Sequence, residues 1–368
     1  MSHATDDAAA ISAAEYAALT SGAGLVDLND STLVEISGDD RAAFLHNLCT
    51  NEIRKLPAGA GCEAFLLNVQ GKILFYVLVF SGSDSLVLQT SPGHGERLVA
   101  HLDRYLIREK VTLADRSAES AELLLAGQTA AELLGKLGAS ELPTARLQSV
   151  KARLQAPNIP GATDVSPVPI NSGATGVPPV PINSGATGVS PVPFDVWLRR
   201  VDITGGPGFL IDCQRIDRER LRLLLIQTGA VSCSQQTFDA KRIEAGFPVY
   251  GRDITDKNLP QEVDRDALAI SFVKGCYLGQ ETVARIDALG HVNRVLRGVR
   301  FSGPQAPAAD TELRSGSQVV GQVTSSTFSP RLGSPLALAY LRRGHEQPGA
   351  KLESDFGFAE VIALPLAN

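Results

Sequence analysis

The residues with the most chemical potential stand together at Lys274-Gly275-Cys276-Tyr277-Leu278-Gly279-Gln280-Glu281. Two glycines bracket a thiol and an aromatic ring, and glycine permits the positive φ or close backbone approach that shapes a turn. The thiolate, not the thiol, is the nucleophile, and a nearby cation or a helix N-terminus favours it. Lys274 stands two residues before Cys276, and Gln280, Glu281, Val283 and Ala284 read as the start of a helix. The spacing allows a reactive Cys276 tuned by Lys274. It equally allows a strand-to-helix connection whose cysteine is a small buried hydrophobe.

A second constellation runs from Arg242 to Ile254. Arg242 and Glu244 end a helix that Gly246 can terminate and Pro248 cannot continue. Tyr250, Arg252 and Asp253 then lie on a loop. A guanidinium fork suits a carboxylate-bearing ligand. The alternative is a structural ion pair beside a tight turn, a common arrangement with no catalytic role. Of the histidines, His46, His94 and His101 fall on helices or their starts, and only His291 lies near the cysteine loop.

The run from Lys274 to Glu281 resembles the signature of the YgfZ-type folate-binding proteins, relatives of the glycine-cleavage T-protein (aminomethyltransferase). The match continues through Thr282-Val283-Ala284-Arg285 and Gly290-His291-Val292-Asn293-Arg294. Arg242 to Gly246, Asp253 to Glu262, Asp39 to Glu52 and Gly321 to Ser326 are similar to further blocks of the same family. The resemblance implies tetrahydrofolate or a derivative as cofactor, with Arg242, Glu244, Tyr250, Gln280 and Glu281 as cofactor-binding residues. It implies Cys276 as the reactive residue and Lys274 as its tuner, in support of iron–sulfur client enzymes or their assembly factors. The alternative it implies is one-carbon transfer to tetrahydrofolate by an aminomethyltransferase or demethylase. Two departures weigh against that alternative. Where the T-protein hairpin carries paired aspartates, this chain has Phe75 and Tyr76. Where the T-protein has glutamates in its Thr-Gly-Glu-Asp-Gly-Phe-Glu block, Thr204 to Leu210 has Gly206 and Leu210.

These residues need a scaffold. A helix is expected from Ala13 to Thr20, then strands at 24–28 and 32–37, and a helix after Asp40, a good N-cap residue. Segments 62–69 and 72–80 read as a hairpin and 86–90 as a further strand. Pro92 reads as the first residue of a helix with Leu98, Leu102 and Leu106 on one face. Strands follow at 111–115, 121–126, 194–202 and 209–213, with helices at 129–137, 218–227 and 238–245. The strand-rich remainder, with strands at 294–301, 318–325, 336–341 and 359–363, fits a small antiparallel barrel.

The expected fold class is α+β. The resemblance implies T-protein-like folate-binding domains around a central cavity, closed by a C-terminal antiparallel β-barrel. The expected divisions are a tail and short helix at 1–20, a folate-binding region at 21–290 and the barrel at 291–368. A Pro/Gly/Ser-rich insertion at 157–193, repeating every 12 residues, interrupts the middle region. It can bury no large apolar face and reads as disordered or polyproline-like.

Composition narrows the class. The 368 residues are 44% hydrophobic and 20% charged, ordinary for a globular protein, and the net charge is −6. No clustered basic surface suggests nucleic acid as a partner. The polar start lacks a secretory pattern, and the most apolar run, Phe75 to Phe80, is too short for a bilayer. Cytoplasmic location and no membrane partner are expected. Five cysteines without a Cys-x-x-Cys pair argue against a disulfide framework or an ordinary zinc site, so no metal ligands are assigned.

Overall fold

The computed structural model describes residues 11–28, 31–156 and 192–366. The insertion expected at 157–193 falls almost wholly outside them. Three units make up the described chain. A six-stranded sheet has the order Val231–Cys233, Gly24–Asp27, Ser120–Ala126, Gly208–Gln214, Phe194–Val201 and Ser149–Leu154. Only its first pair is parallel. A five-stranded antiparallel sheet has the order Gly61–Leu67, Ile73–Ser81, Ser85–Thr90, Thr32–Ser37 and Thr112–Asp115. Six antiparallel strands, beginning with Arg294–Phe301, close the C-terminal barrel.

The strand Ile73–Ser81 explains how the first two units join. Nearly every residue in it is buried, where a half-exposed strand would alternate apolar and polar. Its faces serve two cores. Phe75, Val77 and Val79 pack with Phe44, Leu45 and Leu98 on the helical side. Leu78 and Phe80 pack with Leu124, Val201 and Leu210 of the six-stranded sheet.

The helix Gln235–Glu244 joins these units to the barrel. It starts three residues earlier than the apolar pattern suggests, because Ser234 caps it by accepting from the Thr237 N–H. Two other expectations are corrected. The helix after Pro92 begins only at Gly95, since Gly93 adopts φ +78° and makes a turn first. Asp40 does stand at the N-cap of Arg41–Leu48, but its carboxylate accepts from the Lys110 N–H rather than capping the helix. The short strands Ser149–Leu154, Val231–Cys233, Glu312–Ser315 and Lys351–Ser354 carry too little pattern to be read alone. No described helix is long and apolar enough to cross a membrane.

Candidate functional site

The cysteine loop runs over the C-terminal end of the helix Arg41–Leu48. Helix ends leave carbonyls without intrahelical partners, and here one side chain from the loop meets three carbonyls. The Lys274 ammonium donates to the His46, Cys49 and Asn51 carbonyls at 2.6, 2.7 and 2.7 Å. It also lies 4.9 Å from the Tyr277 ring centre. The Leu278 N–H donates to the Asn47 carbonyl at 3.0 Å, and the Ser271 N–H to the Thr50 carbonyl at 2.9 Å. Lys274 and Tyr277 are thereby buried, while Gly275 and Cys276 between them are exposed.

Gly279 ends the loop at φ +79°, and a Cβ there would stand 2.5 Å from the Asn68 carbonyl oxygen. That close approach sets the 68–71 turn against the helix Gln280–Leu289. Half-buried Gln280 and exposed Glu281 form the helix's first turn. Phe272 and Val273, immediately before Lys274, are 46% and 97% exposed. The thiol therefore sits on a platform that is anchored underneath and apolar at its edge. Its bland reading as a buried hydrophobe does not hold.

The reading of Lys274 as the tuner of Cys276 is also corrected. Its ammonium is turned down onto three backbone carbonyls beneath the loop. Burial lowers its pKa from the usual lysine value. Lys274 positions the platform.

Arg242 and Glu244 lie elsewhere, on the helix that faces the barrel. Arg242 is fully buried. Its guanidinium donates to Asp253 at 2.9 Å, Asp239 at 2.5 Å and the Ser325 hydroxyl at 3.0 Å. Asp253 in turn accepts from Thr324 and Ser325 of the barrel at 2.6 and 2.5 Å. A guanidinium so enclosed has no face for a ligand carboxylate. The implied ligand role of Arg242 is therefore replaced by that of an interdomain joint.

Glu244 accepts from Ser329 at 2.5 Å and from the Tyr16 hydroxyl at 2.6 Å. Burial and that carboxylate push the Tyr16 hydroxyl above its ordinary pKa. Glu244, Lys241, Tyr16, Gly206, Arg331 and Leu366 line a cavity of 480 Å³. Tyr250 is buried, donates to the Leu74 carbonyl and accepts from Arg97 at 3.2 Å. Its ring lies 5.8 Å from that of Phe75. The residues nominated from the sequence therefore separate. Cys276 and Lys274 share the loop, Gln280 and Glu281 open the helix after it, Arg242 and Glu244 share the joint, and Tyr250 stands apart.

One group was missed. Glu63 is fully buried in the strand Gly61–Leu67. It accepts from the Tyr76 hydroxyl at 2.7 Å and from Arg265 Nε at 2.6 Å, and it pairs with Arg146. Arg146 also holds Asp202 at 3.0 Å. The Arg265 guanidinium lies 5.2 Å from the centre of the half-buried Phe247 ring, which is 6.2 Å from that of Tyr76. This network gathers residues from the five-stranded sheet, from the connections next to Ser149–Leu154 and Phe194–Val201, and from the segment after the joint helix. Its only sequence signal is a glutamate inside a run that is otherwise apolar from Cys62 to Leu67.

A mixed sheet and an antiparallel sheet, joined to a closed six-stranded barrel through buried hydrogen bonds of Arg242, Asp253 and Glu244, define an α+β protein of T-protein type. Residues 3–156 match the GCVT N-terminal domain, and residues 294–366 match the glycine cleavage T-protein C-terminal barrel domain. The chain belongs to the glycine-cleavage T-protein superfamily. It is 26% identical over 362 residues to an aminomethyltransferase of Streptomyces avermitilis, spanning 95% of this chain and 88% of that protein. It is 27% identical over 336 residues to that of Thermus thermophilus, spanning 91% and 84%. Among solved structures, the glycine cleavage system aminomethyltransferase T of Bartonella henselae superposes with a TM-score of 0.76. At 19% identity over 96% of this chain and 88% of that one, this is a likeness of fold.

Proposed function

We propose that the chain is a tetrahydrofolate-binding protein of the YgfZ-like branch, one that supports assembly or repair of iron–sulfur clusters in client enzymes through Cys276. The carrying observation is the exposed thiol on the anchored loop 274–279, beside Phe272 and Val273. A protein acting on a macromolecular client needs its reactive atom at the surface with apolar area around it.

Folate asks for aromatic faces and a carboxylate for its pterin, and for a guanidinium for its glutamate tail. The joint residues Arg242 and Glu244 do not fit, because both are already paired inside the protein. The groups around Glu63 suit it better, because Arg146, Asp202 and the Phe247 ring all keep accessible surface. Phe247 would supply an aromatic face, the half-exposed Asp202 an acceptor, and Arg146 and Arg265 the guanidinium groups. Bound there, folate would supply a one-carbon carrier. The chain's own residues would hold and orient it, with Glu63 fixing both arginines.

The names of the relatives favour a second reading, aminomethyl transfer to tetrahydrofolate. Against it, Phe75 and Tyr76 occupy the positions matching the T-protein aspartates, and both are buried. A rescue separates the two. Cells lacking the gene are assayed for several iron–sulfur enzymes and supplied with wild type or Cys276→Ala at equal abundance, the host cytoplasm being the proposed location. Failure of the enzymes, restored by wild type alone, is the expected result. Enzymes that never fail, with one-carbon transfer by the purified protein, would establish the second reading instead.

A further inference from the structure

The 480 Å³ cavity beside Glu244 lies where the helix Ala13–Thr20, the end of the helix Gln235–Glu244, the turn at 204–207 and the barrel meet. Lys241 lines it with a side chain only 8% exposed. The Lys241 ammonium stands 4.9 Å from the Tyr16 ring centre and 3.7 Å from Glu244 Oε2, longer than a hydrogen bond. Both of these neighbours line the same cavity, so the charge sits at its wall. An ammonium carries three N–H donors. Among the described residues, none of the three has an acceptor at hydrogen-bond distance.

Charge does not balance here. Glu244 is the one carboxylate among the described residues lining the cavity, and both of its oxygens are taken. Oε1 accepts from Ser329 at 2.5 Å and Oε2 from Tyr16 at 2.6 Å. Against it stand two cations, Lys241 and Arg331. Burial lowers the Lys241 pKa; Glu244 opposes that and the Arg331 charge adds to it, so the two cations are near enough to repel. Arg331 also donates to the Leu366 carbonyl at 3.4 Å, which holds it at this end of the cavity. Buried charges are stable when paired, and this pair of cations calls for a further anion.

Gly206 leaves room for one. A Cβ there would meet nothing within 4 Å, so this half-buried position on the cavity wall faces open space. It is also where the T-protein block Thr-Gly-Glu has its glutamate, a negative charge that this chain lacks. Leu19, Pro207, Ala245 and Pro365 make much of the remaining wall apolar, and the volume suits a small organic molecule.

We propose that this cavity binds a small organic acid with one carboxylate on a short apolar body. The carboxylate would lie between the Lys241 ammonium and the Arg331 guanidinium, in charge-assisted bonds to both. The apolar body would cover Leu19, Ala245 and Pro365, which an inorganic anion would leave bare. The Glu63 network contributes no residue to this cavity, so the site stands whether or not folate binds there.

The test is ligand-observed NMR titration of the full chain with hexanoate and benzoate. Hexylamine and inorganic phosphate are run as separate probes. Saturable binding of at least one carboxylate below about 10 mM is expected, weakened about tenfold or more by Lys241→Met, with no binding of hexylamine. Gly206→Glu and Gly206→Gln match in size and differ in charge, so Gly206→Glu should weaken the carboxylate about fivefold more than Gly206→Gln does. The open space at Gly206 lets this pair decide the matter if Lys241→Met fails to fold. No saturable carboxylate binding would overturn the proposal. So would wild-type affinity in Lys241→Met, equal losses in the two Gly206 variants, or tighter binding of phosphate or hexylamine than of either carboxylate.

Discussion

The cysteine loop and the Arg242 joint look alike in sequence. Each pairs a cation with a potentially reactive or ligand-binding group next to a glycine turn. In three dimensions they diverge. Arg242 meets Asp239, Asp253 and Ser325 and has no exposed surface. In the loop the cation is just as fully engaged, but the thiol two residues on is left outside. The difference teaches that charge and glycine at motif spacing mark a constrained backbone. Function is then sought in the group that the constraint leaves free.

Three substitutions sharpen or break this comparison. The largest effect is expected at the joint. Arg242→Ala leaves the Asp253 carboxylate buried without its guanidinium, and removing one partner of a buried pair costs about 3–5 kcal/mol. Urea denaturation should show that loss, and a change below about 1 kcal/mol would mean the joint is not the interdomain lock described. Next comes Lys274→Met, which keeps the length of the side chain but removes the donor to three carbonyls. A loss of about 2–3 kcal/mol is expected. An unchanged midpoint would show that the loop is held by its backbone contacts alone.

The smallest effect is expected at the thiol itself. Cys276→Ser should change stability by less than about 0.5 kcal/mol, because the side chain is exposed and touches no core. Loss of client-enzyme rescue without loss of stability would set the loop apart from the joint. A clear destabilisation would erase the contrast between them.

Much of the scaffold was legible from periodicity. The helices Ala13–Thr20 and Arg218–Gln227 and the strands Thr32–Ser37 and Arg294–Phe301 have the bounds that their patterns suggest. Apolar runs bounded by glycine, proline or capping residues carry enough local signal to place such elements. The strands Val231–Cys233 and Ser149–Leu154 do not, because pairing with neighbours distant in the chain makes them strands. The partition of Ile73–Ser81 between two cores was equally hidden, since a run buried on both faces has no polar side to reveal its period.

For the candidate site, sequence alone determined that 274–281 is a shaped turn before a helix and that 242–248 ends one. Glycine, proline and capping preferences act locally and need no tertiary partner. Only the tertiary structure decided which way each charged group turned. Lys274 went down to the carbonyls of residues 46–51, Arg242 inward to Asp253, and Glu63 to arginines 83 and 202 positions away. The reason is that a buried charge is stable only where an opposite charge or enough hydrogen-bond partners surround it. For Lys274 and Glu63, distant segments supply most of those partners.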